Sequence, residues 1–268
     1  MRRKFLSDQP SLRQRIAMVM VIFIVFNLIE VAAIQFFVYG QYRDLQELNR
    51  SVVELNQERF SEKFTTIHKE AAYLISNEVD FIKLPLLASA GLDYQNSIEQ
   101  IQIANNIRNR LLNLSNVYGN QYYFWCYDSV SGTFLDSYGT NEQKRTFRSY
   151  IIDKLEEEPE SLVENKGFGI EDGRYISMIN HRKTIYLGAM ITINDFYQLI
   201  SQNSSSKEYR YAVYDESGAL VESRVYSGAD RVEQGTVLDK NNFLQEEMLQ
   251  LDNCSFSVGI AVTSRSLE

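Results

Sequence analysis

The chain has 268 residues, of which 44% are hydrophobic and 12% aromatic, and its formal net charge is −8. This composition is typical of a folded protein rather than a stalk or linker, and the acidic charge argues against a nucleic-acid-binding surface. Two cysteines, Cys126 and Cys254, do not make a disulfide framework. We expect two buried free thiols, with a single bridge between them as the alternative.

The N-terminal region is a basic segment followed by a long apolar run. Residues 1–15 contain five lysines and arginines and one aspartate, and residues 16–38 are almost entirely apolar. Because about 20 helical residues cross a bilayer core, the run predicts a transmembrane helix at 16–38. The basic flank predicts a cytoplasmic N-terminus, 1–15, with residues 41–268 on the outer side. A cleaved signal peptide is the alternative, but Asn27 and Glu30 interrupt the run.

Helical periodicity continues beyond the apolar run. Apolar residues recur every three or four positions from Leu45 to Leu74, and residues 41–83 contain no glycine or proline. This pattern predicts one long amphipathic helix that ends near Leu84, ahead of Pro85. With its connection, this signalling helix occupies residues 39–95. A second helix is predicted over 96–117.

The pattern then changes to strands, and the predicted elements form two units. A hairpin is predicted at 121–128 and 133–137, a helix at 141–157, a loop at 167–173, strands at 174–180 and 184–193, and a short helix at 196–201 with Asn194 or Asp195 as its cap. These make a unit at 96–201. After a polar boundary at 202–206, strands at 209–215, 219–225 and 255–263 and a helix at 242–251 make a smaller unit at 207–263. Residues 264–268 then begin a connection.

This order of elements resembles the double Cache sensor domains of bacterial transmembrane receptors over residues 41–263. The resemblance is carried by two hairpin turns with Tyr-Asp followed by Ser-Gly, at 127–132 and 214–218, and by Tyr-Leu-Gly-Ala-Met-Ile-Thr-Ile at 186–193. It implies an α+β fold in which a transmembrane helix and a long membrane-proximal helix precede two PAS-like units with antiparallel sheets. The larger, membrane-distal unit would bind ligand. A cytoplasmic output beyond a second membrane span is implied, with a sensor histidine kinase favoured.

Aromatic residues on the first predicted strand are the main candidates for ligand contact. Alternation places Tyr123, Trp125 and Tyr127 on one face, where they line either a ligand cavity or a plain core. The family's amino-acid-binding members carry Arg-x-Trp-Tyr on the following helix and a later Asp. Here the helix has Arg145 without that Trp and Tyr, and Met190 stands near the Asp position, so recognition of an α-amino group is unsupported. The predicted contacts are Tyr123, Trp125, Tyr127, Arg145 and Arg174.

Catalytic and metal-binding signals are weak. The chain has two histidines, His68 and His181, both expected at the surface, and no zinc, redox or phosphate-loop motif. Glutamates at 156–164 are a minor calcium candidate. We therefore expect neither enzyme activity nor a cofactor, and a ligand-sensing receptor region. A membrane-anchored interaction protein is the alternative, and an extracytoplasmic enzyme the third possibility.

The expected partners are a small-molecule ligand, the lipid bilayer and a second copy of the chain in a parallel homodimer. We expect the globular portion to cover the long helix from about Phe60 onward. The dimer seam is therefore predicted at the uncovered positions Leu45, Leu48, Val52 and Leu55.

Overall fold

The computed structural model describes residues 12–89, 94–137, 142–157, 167–201, 208–227, 230–231 and 246–262. Predictions that concern 1–11, Pro159, the boundary at 202–206 and residues 263–268 lie outside these ranges, as do residues 158–164 of the glutamate cluster. The chain divides into two compact units, residues 1–48 with 265–268, and residues 49–264. The fold class is α+β, as predicted.

The first element, α1, is a single helix of 66 residues, Leu12–Asn77. The predicted membrane segment and the predicted amphipathic helix are therefore continuous. Within the described residues, α1 is the one helix long and apolar enough to cross a membrane. The side chains of residues 16–39 are all exposed. These features fit a single-pass membrane protein.

Two expectations for the long helix are wrong. α1 ends at Asn77, and α2, Val79–Ser89, contains Pro85 instead of stopping before it. One proline removes a single helical hydrogen bond, and the buried side chains of Phe81 and Leu84 hold this helix by packing. Burial on α1 also begins before Phe60, because the Asn49 side chain is buried and its Nδ2 donates to Ile260 O at 3.1 Å.

The proposed dimer seam on α1 stays a prediction. In the single chain Leu45 is 4% exposed, whereas Leu55 is 55% exposed. Leu48 and Val52 are half-buried. Of the four seam residues, Leu55 is thus the one whose side chain is open to a partner without any rearrangement.

The first sheet lies in the predicted larger unit. Its strands are β1 (Tyr123–Asp128), β2 (Thr133–Asp136), β3 (Gly169–Glu171), β4 (Tyr175–Arg182) and β5 (Ile185–Thr192), in the antiparallel order β2-β1-β5-β4-β3. Helices α3 (Tyr94–Tyr118) and α4 (Glu142–Glu157) precede and interrupt these strands. The prediction of a loop at 167–173 is wrong for residues 169–171, which form the edge strand β3. This strand exists because it pairs with β4, and a local sequence pattern does not reveal such pairing.

The second sheet lies in the predicted smaller unit. Its strands are β6 (Glu208–Tyr214), β7 (Leu220–Ser227), β8 (Asp230–Arg231), β9 (Glu247–Gln250) and β10 (Ser257–Val262), in the order β8-β7-β6-β10-β9. The helix predicted at 242–251 is contradicted by β9, where buried Leu249 lies between exposed Met248 and Gln250 in the period of a strand. Residues 242–245 lie outside the described ranges.

The helix between the two sheets, α5 (Ile193–Ser201), starts earlier than predicted. Thr192 is its cap, because Thr192 Oγ1 accepts from Asp195 N at 2.9 Å and donates to Asp195 Oδ2 at 2.6 Å. The prediction of Asn194 or Asp195 as the cap is therefore wrong. The Asp195 carboxylate instead accepts a hydrogen bond from the capping hydroxyl.

The repeated Tyr-Asp pattern has a structural cause in both hairpins. Asp128 Oδ2 accepts from Ser131 N at 3.0 Å and from Ser131 Oγ at 2.6 Å. Asp215 Oδ1 likewise accepts from the backbone nitrogens of Ser217 and Ala219, each at 2.9 Å. Side-chain to backbone bonds of this kind stabilise turns. The repeat is thus turn chemistry rather than a ligand motif.

Candidate ligand-binding site

The first sheet has two different faces, as the alternation along β1 predicts. Phe124 lies on the face toward α3, with its ring centroid 6.3 Å from that of Tyr118. Tyr123 and Trp125 lie on the opposite face, where they pack against Phe147 and Ile151 of α4. This second face and α4 together enclose an aromatic cluster.

A cavity lies between α4 and this face of the sheet, which we call the α4 cavity. It has an empty volume of about 250 Å³ when space open to solvent is included. Only about 10 Å³ of it admits the centre of a water molecule, which is room for about one water. The lining residues are Trp125, Tyr150, Ile151, Lys154, Glu171, Ser177, Ile179 and Met190. The walls are therefore mostly apolar and aromatic, and the polar groups are few.

The polar groups of the α4 cavity centre on Glu171 of β3. Its carboxylate accepts from Ser177 Oγ at 2.6 Å and forms an ion pair with Lys154 of α4. Register explains the meeting, because Glu171 pairs with Tyr175 and so shares the cavity face with Ser177, two residues along β4. Burial raises the pKa of the Tyr150 hydroxyl, and the negative charges of Glu171 and Asp172 raise this pKa further.

A second polar group lies beside the cluster on β1 and β2. Tyr123 Oη donates to Asp136 Oδ2 at 2.7 Å, and Arg148 Nη1 of α4 is 3.9 Å from the same oxygen. Burial raises the pKa of Tyr123, and the hydrogen bond to Asp136 adds to this effect. Tyr123 is therefore a neutral donor held within the cluster.

Gly188 of β5 determines where the indole of Trp125 lies. The two residues are directly opposite in the β1–β5 register. A Cβ atom at position 188 would be 2.3 Å from Trp125 Cε2, 2.4 Å from Cζ2 and 2.5 Å from Nε1. The indole also stacks on Phe134, with ring centroids 6.0 Å apart. The glycine in the segment at 186–193 thus makes the space that this cavity wall occupies.

The structure brings together only part of the predicted contact set. Trp125 lines the α4 cavity, and Tyr123 and Tyr127 belong to the aromatic cluster around it. Arg145 is exposed on α4, and Arg174 is exposed and paired with Asp172. Neither arginine lines the cavity. Whether any of the five contacts a ligand stays a prediction.

Helix geometry explains why Arg145 is misplaced and which residue replaces it. At 100° per residue, position 145 is about 160° around α4 from the buried Phe147. Lys154, seven residues after Phe147, returns to nearly the same direction. The spacing of Phe147, Ile151 and Lys154 is therefore a sequence signal for the cavity-facing stripe. No comparable local signal identifies Glu171, which lies on an unpredicted strand.

Comparison with known proteins gives little beyond this geometry. No protein-family model and no curated protein matches the chain. Among solved structures, the chain is similar to the sensory domain of the Campylobacter jejuni chemoreceptor Tlp3 (CcmL). The TM-score is 0.40 and the sequence identity is 13%, over 86% of this chain and 95% of that one.

Other candidate sites in the described part of the chain carry less chemistry. Its residues contain no group of three or more histidine, cysteine or acidic side chains placed to hold a metal. His68 is half-buried on α1 rather than exposed as expected. His181 lies on β4, where it stacks on Tyr186 with ring centroids 4.4 Å apart. Cys126 and Cys254 are both free thiols, as expected; Cys126 is buried and Cys254 half-buried.

Proposed function

We propose that the part of the chain beyond the apolar segment is the extracytoplasmic ligand-sensing region of a bacterial membrane receptor of the double Cache type. A small molecule binds in the α4 cavity and alters the packing of α4 on the sheet. The observation that carries the proposal is the lining of the cavity, aromatic walls with a few convergent polar groups, which is the usual lining of a small-molecule site. Because the cavity has room for about one water, a ligand enters it only when Lys154 or α4 moves. In this proposal the chain uses no cofactor and catalyses no reaction.

A route for the signal follows from two neighbouring residues of β4. Ile179 lines the α4 cavity, and the next residue, Asn180, lies on the other face, where its Nδ2 is 3.4 Å from His68 O of α1. Arg182 of the same strand contacts Ser76 O of α1. A ligand that moves β4 would therefore bias α1, which continues to Leu12 through the apolar segment.

The chain offers a direct optical test, because Trp125 is its one tryptophan. The full chain, in detergent micelles or nanodiscs, would be titrated with organic acids, sugars, amino acids, amines and peptides. Trp125 emission and the melting temperature would both be recorded. A ligand of the cavity should change the emission and raise the melting temperature, because it stabilises the folded state by mass action.

A pair of matched variants tests the location. Tyr150→Ala removes a cavity wall, and Tyr73→Ala makes the same change at a residue of α1 that is 59% exposed. Loss of one aromatic contact is worth about 0.5–1.5 kcal/mol, so Tyr150→Ala should weaken binding roughly 2- to 10-fold. Tyr73→Ala should leave binding unchanged. If compounds raise the melting temperature without changing Trp125 emission, the cavity is not the site.

The output part of the proposal has its own test. We favour a histidine kinase on the cytoplasmic side, reached through a second membrane span. The reading frame of the full gene beyond residue 268 should then encode an apolar segment followed by a kinase. A frame that encodes neither a further span nor any signalling domain would favour the membrane-anchored interaction protein instead.

A further inference from the structure

The two charged side chains at the α4 cavity, Lys154 and Glu171, differ in how freely they can move. The Glu171 side chain is 12% exposed, and the Lys154 side chain is 34% exposed. Glu171 sits on an edge strand and is also held by Ser177. Lys154 reaches the carboxylate from α4 on a flexible four-carbon stem. The ammonium group can therefore reach solvent and keep its own charge hydrated, whereas the carboxylate stays in the cavity and needs another positive partner.

The departure of Lys154 would leave the cavity negatively charged. The nearby arginines pair with other acids, Arg174 with Asp172 and Arg148 with Asp136. Among the described residues, Lys154 is the only ion-pair partner of Glu171. A buried carboxylate that loses its partner is costly. The electrostatics at Tyr150 agree, since burial raises its pKa and the negative charges of Glu171 and Asp172 raise it further.

The aromatic walls of the cavity also favour a positively charged ligand. Trp125 and Tyr150 both line it, and the faces of tryptophan and tyrosine rings attract organic cations. An anion would meet the fixed carboxylate of Glu171 instead. Aromatic walls around a largely buried acid thus favour a positively charged ligand with an apolar part.

We propose that the α4 cavity binds a small organic cation, and that the ammonium group of Lys154 occupies the position of that cation in the unliganded protein. The proposal rests on the proposed function and specifies its ligand. The arriving cation takes over the bond to Glu171, and Lys154 is released. Release of Lys154 also removes the ion pair that joins α4 to β3, so ligand exchange is coupled to the position of α4.

The test compares three probes with the same carbon chain and different charge. Butylamine, butanol and butyrate would be titrated into the full chain in detergent micelles at pH 7.5, with Trp125 emission and calorimetry as readouts. A hydrogen bond to a charged group contributes about 1.5–3 kcal/mol. Butylamine should therefore bind roughly 10- to 100-fold more tightly than butanol, and butyrate should not bind.

Three variants separate the roles of the ion pair. Lys154→Met removes the internal competitor and should tighten butylamine binding several-fold. Glu171→Gln should weaken it roughly 10-fold or more. The double variant leaves neither charge in the cavity, so it should fold normally and bind butylamine as weakly as Glu171→Gln. Lys83→Met and Glu99→Gln, at an exposed pair 3.0 Å apart, are the matched controls and should change nothing.

Each outcome decides the proposal. Preference for butyrate, lost in Lys154→Met, overturns it, as does equal binding of all three probes; the proposed sensory function stands in both cases. If none of the three probes binds, the first compound of any kind that changes Trp125 emission decides. A cation supports the proposal, and a neutral molecule or anion overturns it. If no compound changes Trp125 emission, the proposed function fails as well.

Discussion

The contact between Gly188 and Trp125 predicts a specific effect of one added methyl group. In Gly188→Ala, the new Cβ would lie 2.3–2.5 Å from three atoms of the indole. Trp125 is 1% exposed and belongs to a buried cluster with Phe147 and Met190. These neighbours leave the ring only the small α4 cavity to move into, so the substitution overpacks the site.

The expected magnitude follows from this geometry. Overpacking a core costs about 1–3 kcal/mol, and alanine recovers about 0.5–1 kcal/mol relative to glycine within a strand. The free energy of unfolding should thus fall by up to about 2.5 kcal/mol, and by about 1.3 kcal/mol at the middle of both ranges. At about 2–4 °C per kcal/mol for a domain of this size, that middle value lowers the melting temperature by about 3–5 °C.

The assay is thermal unfolding of the full chain in detergent, combined with the emission maximum of Trp125. Displacement of the indole should shift that maximum to longer wavelength. Gly40→Ala is the control, because position 40 of α1 has no heavy atom within 4 Å of the added Cβ. It should not lower the melting temperature, since alanine is the better helix former.

A double-mutant cycle makes the reasoning refutable. Trp125→Phe removes the indole nitrogen and Cζ2, so Gly188→Ala should cost at least about 0.5 kcal/mol less in that background. An unchanged melting temperature and emission maximum in Gly188→Ala would show that Gly188 does not set the position of the indole. Equal costs in both backgrounds would assign the effect to another contact.

Three further predictions concern single residues. Tyr123→Phe removes the donor to Asp136 and should lower the free energy of unfolding by about 1–3 kcal/mol; an unchanged urea midpoint would contradict this. Burial raises the pKa of the Cys126 thiol, so the folded protein keeps a proton that the unfolded chain releases above about pH 8.5. Stability should fall as pH rises above that value, and Cys126→Ala should lessen the fall in melting temperature between pH 8 and 10; equal falls would reject this cause. In a cysteine-free background in membranes, cysteine at Leu55, which is 55% exposed, should crosslink between chains more readily than cysteine at Glu54, and equal crosslinking would reject the dimer seam.

Much of the fold was predictable because its signals are local. The absence of glycine and proline from 41–83 and the three-to-four residue spacing of apolar side chains correctly predict the long helix α1 as far as Asn77, though not its end there. Period-two alternation correctly predicts the two faces of β1. The strands β3 and β9 were missed because they are short and exist through pairing with β4 and β10. Such pairing depends on residues distant in the chain.

The residues of the α4 cavity likewise differ in whether the sequence predicts them. Trp125 could be found from the sequence, because its place on an aromatic strand is a local property. The partnership of Lys154 with Glu171 could not, since the two lie on different elements that meet only when α4 packs on the sheet. The same holds for Gly188. The glycine is visible in the sequence, but the need for a glycine there comes from the indole of Trp125 on the neighbouring strand.

The sequence by itself determined where the apolar segment lies, where most of the helices and strands form, and which side of β1 carries each aromatic ring. These follow from hydrophobic period and chain length, which act over a few residues. Only the tertiary structure decided which charges meet in the α4 cavity and how far burial extends along α1. Those depend on the register of paired strands and the packing of helices on them, and both join residues that the sequence keeps apart.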